Sequence, residues 1–281
     1  MKKILGLGKE FIYGGHLLSL GFSAIIYTVV IFLKLPVSLT FLAIPYLISQ
    51  FIYSYNHLKE IHFDADSNPE RASHIKQREH FTRFLLAAYL ILLAVCLLTT
   101  NLLTTMLALT ILIGGILYTD VFKELGIKYI VGFKNLYTSF FVAVGVFLIP
   151  TFYQLEISLF LIGIALFVFI RLIVNTVFFD IKDLESDKSR GLKTFPVMMG
   201  KKKTIIVLQL INLVSLIPII GGIITDKQPS TYFLLIGLML YAFYYLTHAI
   251  FLNGKGLRNL SYIVVDGEYV FWPLLVLLAR G

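Results

Sequence analysis

Two short stretches of this chain concentrate groups that could bind a hard cation. In YNHLKEIHFDADSNPER, Tyr55 to Arg71, the residues Asn56, Glu60, Asp64, Asp66 and Glu70 follow an apolar run that begins near Val37. In DIKDLESDKSRGLKTFPVMMG, Asp180 to Gly200, the carboxylates of Asp180, Asp183, Glu185 and Asp187 follow another. On a helix turning 100° per residue, Asn56, Glu60 and Asp64 fall within about 80° of one another. The same geometry is expected to put Asp180, Asp183 and Asp187 on one helical face. Carboxylates stacked in this way repel unless cations lie between them. Oxygen donors without His or Cys partners favour magnesium or calcium over zinc. Magnesium in turn binds through one or two carboxylates together with a phosphate, so a phosphorylated substrate is implied. Arg71, Lys123, Lys134, Arg190 and Lys193 are threaded through the same segments and would neutralise the rest of its charge. Asp66, Glu70 and Glu79 read as a solvated loop face.

The elements that must position these groups follow from composition. The chain has 281 residues, 58% hydrophobic and 14% charged, with a mean hydropathy of +0.86. Too few polar residues exist to cover a water-soluble core, so an all-α, polytopic membrane protein is expected. Cys96 is the single cysteine, which excludes a disulfide within the chain and a cysteine metal site. Apolar runs long enough to cross the hydrocarbon layer are read near residues 15–33, 37–55, 82–99, 102–119, 133–152, 155–179, 204–225, 231–252 and 262–279. Short turns near Asn101 and Gln154 are expected to make helical hairpins of the third and fourth and of the fifth and sixth runs. The expectation is a bundle of nine transmembrane helices forming a single domain over residues 1–281.

Charge sets the expected orientation. With a cytoplasmic N-terminus, 20 of the 24 Lys and Arg residues fall in inside segments, three (Lys34, Lys227, Arg280) outside, and Arg171 within a span. This skew predicts the N-terminus inside and the C-terminus outside. Both acidic clusters are then cytoplasmic. The net charge of +8 describes one membrane face, and nucleic acid is not needed as a partner. The first 14 residues carry Lys2, Lys3 and Lys9 without a small-residue cleavage site, so no removable signal peptide is expected. Lys201, Lys202 and Lys203 read as a topology anchor near lipid headgroups. Arg171 is costly inside a membrane and is expected to pair with Asp266 or Glu268. Gly114-Gly115 and Gly221-Gly222 read as close helix contacts.

The first cluster resembles the N-D-x-x-D-x-x-x-D signature of the UbiA-type intramembrane prenyltransferase superfamily, here Asn56, His57, Glu60 and Asp64, followed by SNPER, Ser67 to Arg71. His57 stands where the signature has its second acidic residue. Glu60 replaces an Asp, and its longer side chain keeps the ligand oxygen. The second cluster resembles D-x-x-D-x-x-x-D followed by G-x-K-T-x-P-x-x-x-G, and LYTDVFK (Leu117 to Lys123) and KNLYTS (Lys134 to Ser139) also match. The resemblance covers almost the whole chain.

That resemblance implies transfer of a polyprenyl group from an allylic prenyl diphosphate to a lipophilic acceptor within the bilayer of the cell membrane. Its fold would be a helical bundle around a central cavity, capped by cytoplasmic loops. Mg2+ would be held by Asn56, Glu60, Asp64, Asp180, Asp183 and Asp187. Lys123 and Lys134 match basic residues of the family and would stabilise the departing oxygens, with Arg71 and Lys193 as further diphosphate contacts. Tyr118 and Tyr137 would offer π faces to the allylic cation. Acceptors across the superfamily include quinone precursors, glyceryl ether lipids, porphyrins and carotenoids. An aromatic quinone precursor is favoured here, with a geranylgeranylglyceryl phosphate-type ether lipid synthase as the near alternative. Acceptor-free cyclisation, as in terpene synthases, is a second enzymatic reading. An ion-coupled lipid transporter is a third reading, against which both acidic clusters lie at one membrane face and no pair of interrupted helices marks the midplane.

Overall fold

The computed structural model describes residues 2–122, 130–218, 220 and 230–280, and their side chains apart from those of residues 2–6, 62–64, 66, 67, 122, 230–235, 279 and 280. Among the described residues there is no strand. The helices are α1 (Lys2–Tyr13), α2 (His16–Phe32), α3 (Leu39–Ser67), α4 (Pro69–Gln77), α5 (Glu79–Leu97) and α6 (Leu102–Leu117), the last running into a π turn, Tyr118–Phe122. Next come α7 (Phe133–Val144), which continues through a 3-10 turn to α8 (Leu148–Tyr153), and α9 (Leu159–Lys182). Then follow α10 (Leu184–Ser189), α11 (Phe195–Met199), α12 (Lys201–Val214), α13 (Ser230–Ala249) and α14 (Gly254–Asn259). A second π turn, Leu260–Val265, leads into α15 (Asp266–Arg280).

Among the described residues, five stretches are long and apolar enough to cross a membrane: Glu79–Leu97, Leu102–Val121, Phe133–Tyr153, Leu159–Lys182 and Gly254–Leu278. A sixth arises if α1 and α2, bent by 63°, count as one span. Helices also occupy the other runs read from the sequence, but they fall short of that standard. α2 has 17 residues and α12 has 14. α3 interrupts its apolar run with Pro45, Gln50, Ser54 and Asn56. Gln50 and Ser54 are buried, so these polar groups face the bundle and not its surroundings.

The core has two parts. Phe22, Ile26 and Val29 of α2 pack with Phe41, Ile44 and Ile48 of α3, Ile111 of α6 and Val168 of α9. Val174 and Phe178 of α9 pack with Ile205 and Leu208 of α12 and Tyr245 of α13. The outer faces stay apolar, with Phe84, Ile91 and Leu98 of the α5 region and Met106 and Ile113 of α6 exposed, as lipid tails require. α7 and α9 pack along each other as the expected hairpin. α5 and α6 do not: each leans chiefly on α3. Asn101 explains the difference, because it caps α6 by accepting from the Thr104 N–H at 2.9 Å while its amide donates to the Thr151 carbonyl at 2.6 Å, tying the turn to α8.

Arg171 pairs with Glu268, not with Asp266. Both side chains are fully buried; Arg171 also donates to Asn212, and Tyr245 donates to the second Glu268 oxygen at 3.2 Å. Asp266, one half-turn earlier, instead faces the field of Lys182 and Arg71. The Gly114-Gly115 reading holds. A Cβ on Gly114 would collide with the Phe141 ring, and one on Gly115 with the Ile52 side chain. Gly221-Gly222 lies outside the described residues. Gly114→Ala should therefore destabilise the bundle by about 1–3 kcal/mol, read as a lower melting midpoint in detergent. Gly8→Ala, where a Cβ meets nothing within 4 Å, should not lower it.

Candidate active site

The second acidic segment forms the centre of the site. Asp180 lies on the inward face of α9 and is 1% exposed. Its two oxygens take different donors from α7, the Asn135 amide at 2.9 Å and the Lys134 ammonium at 3.4 Å. α9 then ends at Lys182, and Asp183 leaves helical geometry at φ −96°, ψ 5°. The three aspartates thus do not share one unbroken helix face, which corrects the sequence reading. One helical bond survives the break, from the Asp187 N–H to the Asp183 carbonyl at 2.8 Å, and α10 turns Asp187 inward to a buried position.

Burial raises the Asp187 carboxyl to about 6, helped by the neighbouring Asp180 and Asp183 carboxylates and opposed by Lys134. Lys134 is the common countercharge, within the field of all three aspartates and of Tyr118. Tyr118 and Tyr137 lie beside it with ring centroids 5.6 Å apart, and the Tyr137 hydroxyl is fixed on the Gly114 carbonyl at 2.8 Å. Aromatic faces and a lysine therefore border the same carboxylates.

The first acidic segment arrives on α3, whose helical course runs without a break through Asn56, Glu60 and Asp64. Thr119 of the first π turn donates to Asn56 Oδ1 at 3.4 Å. Asp120, on the same turn, takes the Tyr55 hydroxyl at 2.8 Å and the Lys59 ammonium at 2.5 Å. Glu60 is half-buried. The Asp64 side chain and all of Lys123 lie outside the described residues. His57 is buried on another face of α3, edge-on to Tyr53 at 4.2 Å, in a cleft bordered by Glu10, Gln50, His74 and Arg78. It does not stand with Asn56.

Asn68, just after α3, joins the two segments. Its amide donates to Asp183 Oδ1 at 3.5 Å, and its oxygen accepts from Lys182 at 3.3 Å and from the Tyr262 hydroxyl. Lys182 also pairs with Asp183 at 2.6 Å. Arg71 is buried, its guanidinium 5.7 Å from the Tyr262 ring centre. Lys193 is exposed. The structure therefore brings Asp180, Asp183, Asp187, Lys134, Tyr118 and Tyr137 together, while Arg71 packs on Tyr262.

Sequence reasoning passed over Lys182, Asn68, Asn135 and Asp120. Each lay inside a stretch that had already attracted notice, yet only the fold shows that Lys182, Asn68 and Asn135 turn toward Asp180 and Asp183 and that Asp120 turns to Tyr55 and Lys59. Among the described residues, no three His, Cys, Asp or Glu side chains stand close enough to hold a metal ion; Lys134 pairs with Asp180 and Lys182 with Asp183. The donors present are nonetheless all oxygen, the set a hard cation takes.

The model of the UbiA prenyltransferase family matches residues 16–265. A comparison with curated protein sequences finds no match. Among solved structures, the chain resembles the apo form of a UbiA homolog from Aeropyrum pernix K1, with a TM-score of 0.70 and 14% identity over 94% of this chain and 98% of that one. It also resembles a UbiA homolog from Archaeoglobus fulgidus bound to GPP and Mg2+, with a TM-score of 0.68 and 15% identity over 95% and 99% of the two chains. A digeranylgeranylglyceryl phosphate synthase aligns with a TM-score of 0.57 and 18% identity over 99% of this chain and 97% of that one. The match over nearly the whole chain, on a fold of apolar helices with acidic segments closing one end, makes this multi-pass membrane protein an enzyme of the UbiA prenyltransferase family.

Proposed function

We propose that the chain transfers a polyprenyl group from an allylic prenyl diphosphate to a lipophilic acceptor inside the membrane, in a magnesium-dependent reaction. The observation that carries this reading is the convergence of Asp180, Asp183 and Asp187 on Lys134, bordered by Tyr118 and Tyr137. The Archaeoglobus fulgidus homolog bound to GPP and Mg2+ supports it. Asn56, Glu60, Asp64, Asp180, Asp183 and Asp187 would hold the ion. Magnesium, when bound, supplies the positive charge that the diphosphate needs as its bond to the allylic carbon ionises.

The chain's own groups do the rest. Lys134 of α7, with Lys123, would turn to the departing oxygens, and Arg71 and Lys193 would anchor the diphosphate. Tyr118 and Tyr137 would present ring faces to the allylic cation, each worth about 0.5–2 kcal/mol. A central cavity walled by apolar helices would hold the prenyl chain away from water. In this proposal residues 1–281 act as one domain in the cell membrane, with the acidic segments and N-terminus cytoplasmic and the C-terminus outside.

For the acceptor, an aromatic quinone precursor is the favoured class within the superfamily, with a geranylgeranylglyceryl phosphate-type ether lipid as the near alternative. Purified protein incubated with prenyl diphosphates of several lengths, each crossed with both acceptor classes and with none, and read by mass spectrometry, tests the reading. Intact diphosphate throughout would sink it, and cyclised hydrocarbon without acceptor would replace transfer by cyclisation.

A pH dependence follows from Asp187. Because its folded carboxyl titrates near 6, it keeps its proton below that value, and a cation must displace it. The apparent magnesium affinity should weaken by about tenfold per unit as pH falls below 6, and Asp187→Asn should remove that slope. The sign for stability is opposite. The folded protein without metal holds this proton more tightly than the unfolded chain, so this group favours folding at pH 5 over pH 7. Magnesium titrations by calorimetry at pH 5 to 8 would show the first effect, and melting midpoints of the metal-free protein at pH 5 and pH 7 the second.

A further inference from the structure

The C-terminal end of α6 is wedged between α3 and α7, and successive residues take opposite sides. Gly114 and Tyr118, one turn apart, face α7. A Cβ on Gly114 would meet the Phe141 ring, the Gly114 carbonyl accepts from the Tyr137 hydroxyl at 2.8 Å, and Tyr118 stands beside the Tyr137 ring. Gly115 and Thr119, the next positions, face α3. A Cβ on Gly115 would meet Ile52, and the Thr119 hydroxyl reaches Asn56 Oδ1 at 3.4 Å.

Asp120 closes the wedge on the α3 side. Its two oxygens take separate donors, the Tyr55 hydroxyl at 2.8 Å and the Lys59 ammonium at 2.5 Å, and that ammonium also lies 5.0 Å from the Tyr55 ring centre. Tyr55 and Lys59 are one turn apart on α3, and each immediately precedes a member of the first acidic segment, Asn56 and Glu60. The clamp therefore grips α3 on the face next to these proposed ion ligands. The residues it holds belong to the π turn Tyr118–Phe122, and π turns within helices are rare and recur at functional sites.

The ion pair is not a stability device. The Lys59 and Asp120 side chains are 51% and 31% exposed, and a pair so open to solvent contributes little to folding. What it fixes is register. Two groups that the reaction needs at one allylic carbon come from different helices, the diphosphate with its ion from α3 and the Tyr118 ring from the end of α6. Displacing such groups by about 1 Å costs on the order of 100-fold in rate.

We propose that Asp120 is a positioning residue of prenyl transfer: by clamping Tyr55 and Lys59 it sets the Tyr118 ring against the first acidic segment, and so decides whether the allylic cation meets the acceptor or water. The inference deepens the prenyl-transfer reading above and rests on it. In both outcomes the bond from the allylic carbon to the diphosphate oxygen breaks. With the ring in register, the carbon bonds to the acceptor, which gives up one proton. Without it, the carbon bonds to a water oxygen, which gives up one proton, and a free prenol results.

The test uses the full chain purified in detergent, with Mg2+, geranyl diphosphate and the acceptor that the parent protein uses in the crossed assay. Transfer product and geraniol are both counted by mass spectrometry. Asp120→Ala should lower kcat for transfer by about tenfold to 100-fold and raise the ratio of geraniol to transfer product by about tenfold. That ratio does not depend on how much of the protein is folded, so a merely structural role would leave it level. The KM for geranyl diphosphate should stay within about threefold of the parent, because no proposed diphosphate contact is removed. Lys59→Asp combined with Asp120→Lys exchanges the two charges and leaves the Tyr55 hydroxyl a partner, so it should return the ratio to within about threefold of the parent. An unchanged ratio in Asp120→Ala would overturn the proposal, as would a ratio in the exchanged pair as high as in Asp120→Ala. Where Asp120→Ala yields no folded protein, Tyr55→Phe decides, since it removes one hydroxyl and keeps the ring stacked on Phe51. An unchanged ratio there overturns the proposal equally. A parent that consumes no geranyl diphosphate with any acceptor removes the prenyl-transfer reading and this inference with it, whereas an active parent with level ratios in the variants removes the clamp alone.

Discussion

Asp187→Asn should lower prenyl transfer by about 100- to 1,000-fold while the protein inserts and folds as before. The amide is isosteric with the carboxylate, and the backbone bond that positions this residue, from its N–H to the Asp183 carbonyl, does not involve the side chain. What is lost is one negative oxygen in a buried position facing Lys134. Removing the charge also relieves the repulsion from Asp180 and Asp183, so the melting midpoint should stay level or rise. Loss of activity with a preserved or raised midpoint separates a chemical role from a packing role. Activity within twofold of the parent at saturating magnesium would take Asp187 out of the ligand set.

Arg171→Met should be the most destabilising single change in the membrane core. It leaves the Glu268 carboxyl buried without its countercharge and the Asn212 oxygen without its guanidinium donor, while Tyr245 keeps its bond to Glu268. Breaking a buried pair from one side costs about 3–5 kcal/mol, enough to remove most folded protein from a detergent extract. The double change Arg171→Met with Glu268→Met removes both charges and should restore the yield, because a well-packed apolar pair avoids the desolvation cost. Fluorescence-detected size exclusion of the three variants reads this directly. A stable, monodisperse Arg171→Met protein would show that α9, α12, α13 and α15 are held by packing alone.

Much of this was legible in the residues because membrane helices follow simple rules. Apolar runs marked the places of the long helices but not of α1, α4, α10, α11 or α14, and the Gly114-Gly115 pair marked where α6 meets its neighbours. The acidic spacing located Asp180, Asp183 and Asp187, since carboxylates at the end of an apolar helix have few reasons to be there. Orientation of side chains was not legible. Lys182 reads in sequence as a charge that ends a span, whereas in the fold its ammonium turns inward to Asp183 and Asn68. Asp266 and Glu268 stand two residues apart at the start of one helix, and only the phase of the π turn before them decides which meets Arg171. The break at Asp183 was invisible for a similar reason, because DIKDLESDKS has no glycine or proline to signal that α9 stops.

The central claim is that the two acidic segments act as one ion and diphosphate site. Manganese, which takes the same oxygen donors as magnesium and is paramagnetic, reports on it by electron paramagnetic resonance of the purified protein titrated with geranyl diphosphate. Bound manganese should appear with the diphosphate, and it should be lost both in Asp64→Ala, from the first segment, and in Asp187→Ala, from the second. Retention of the full signal in either variant would mean that its segment does not hold the ion, and the account of a shared site would be wrong.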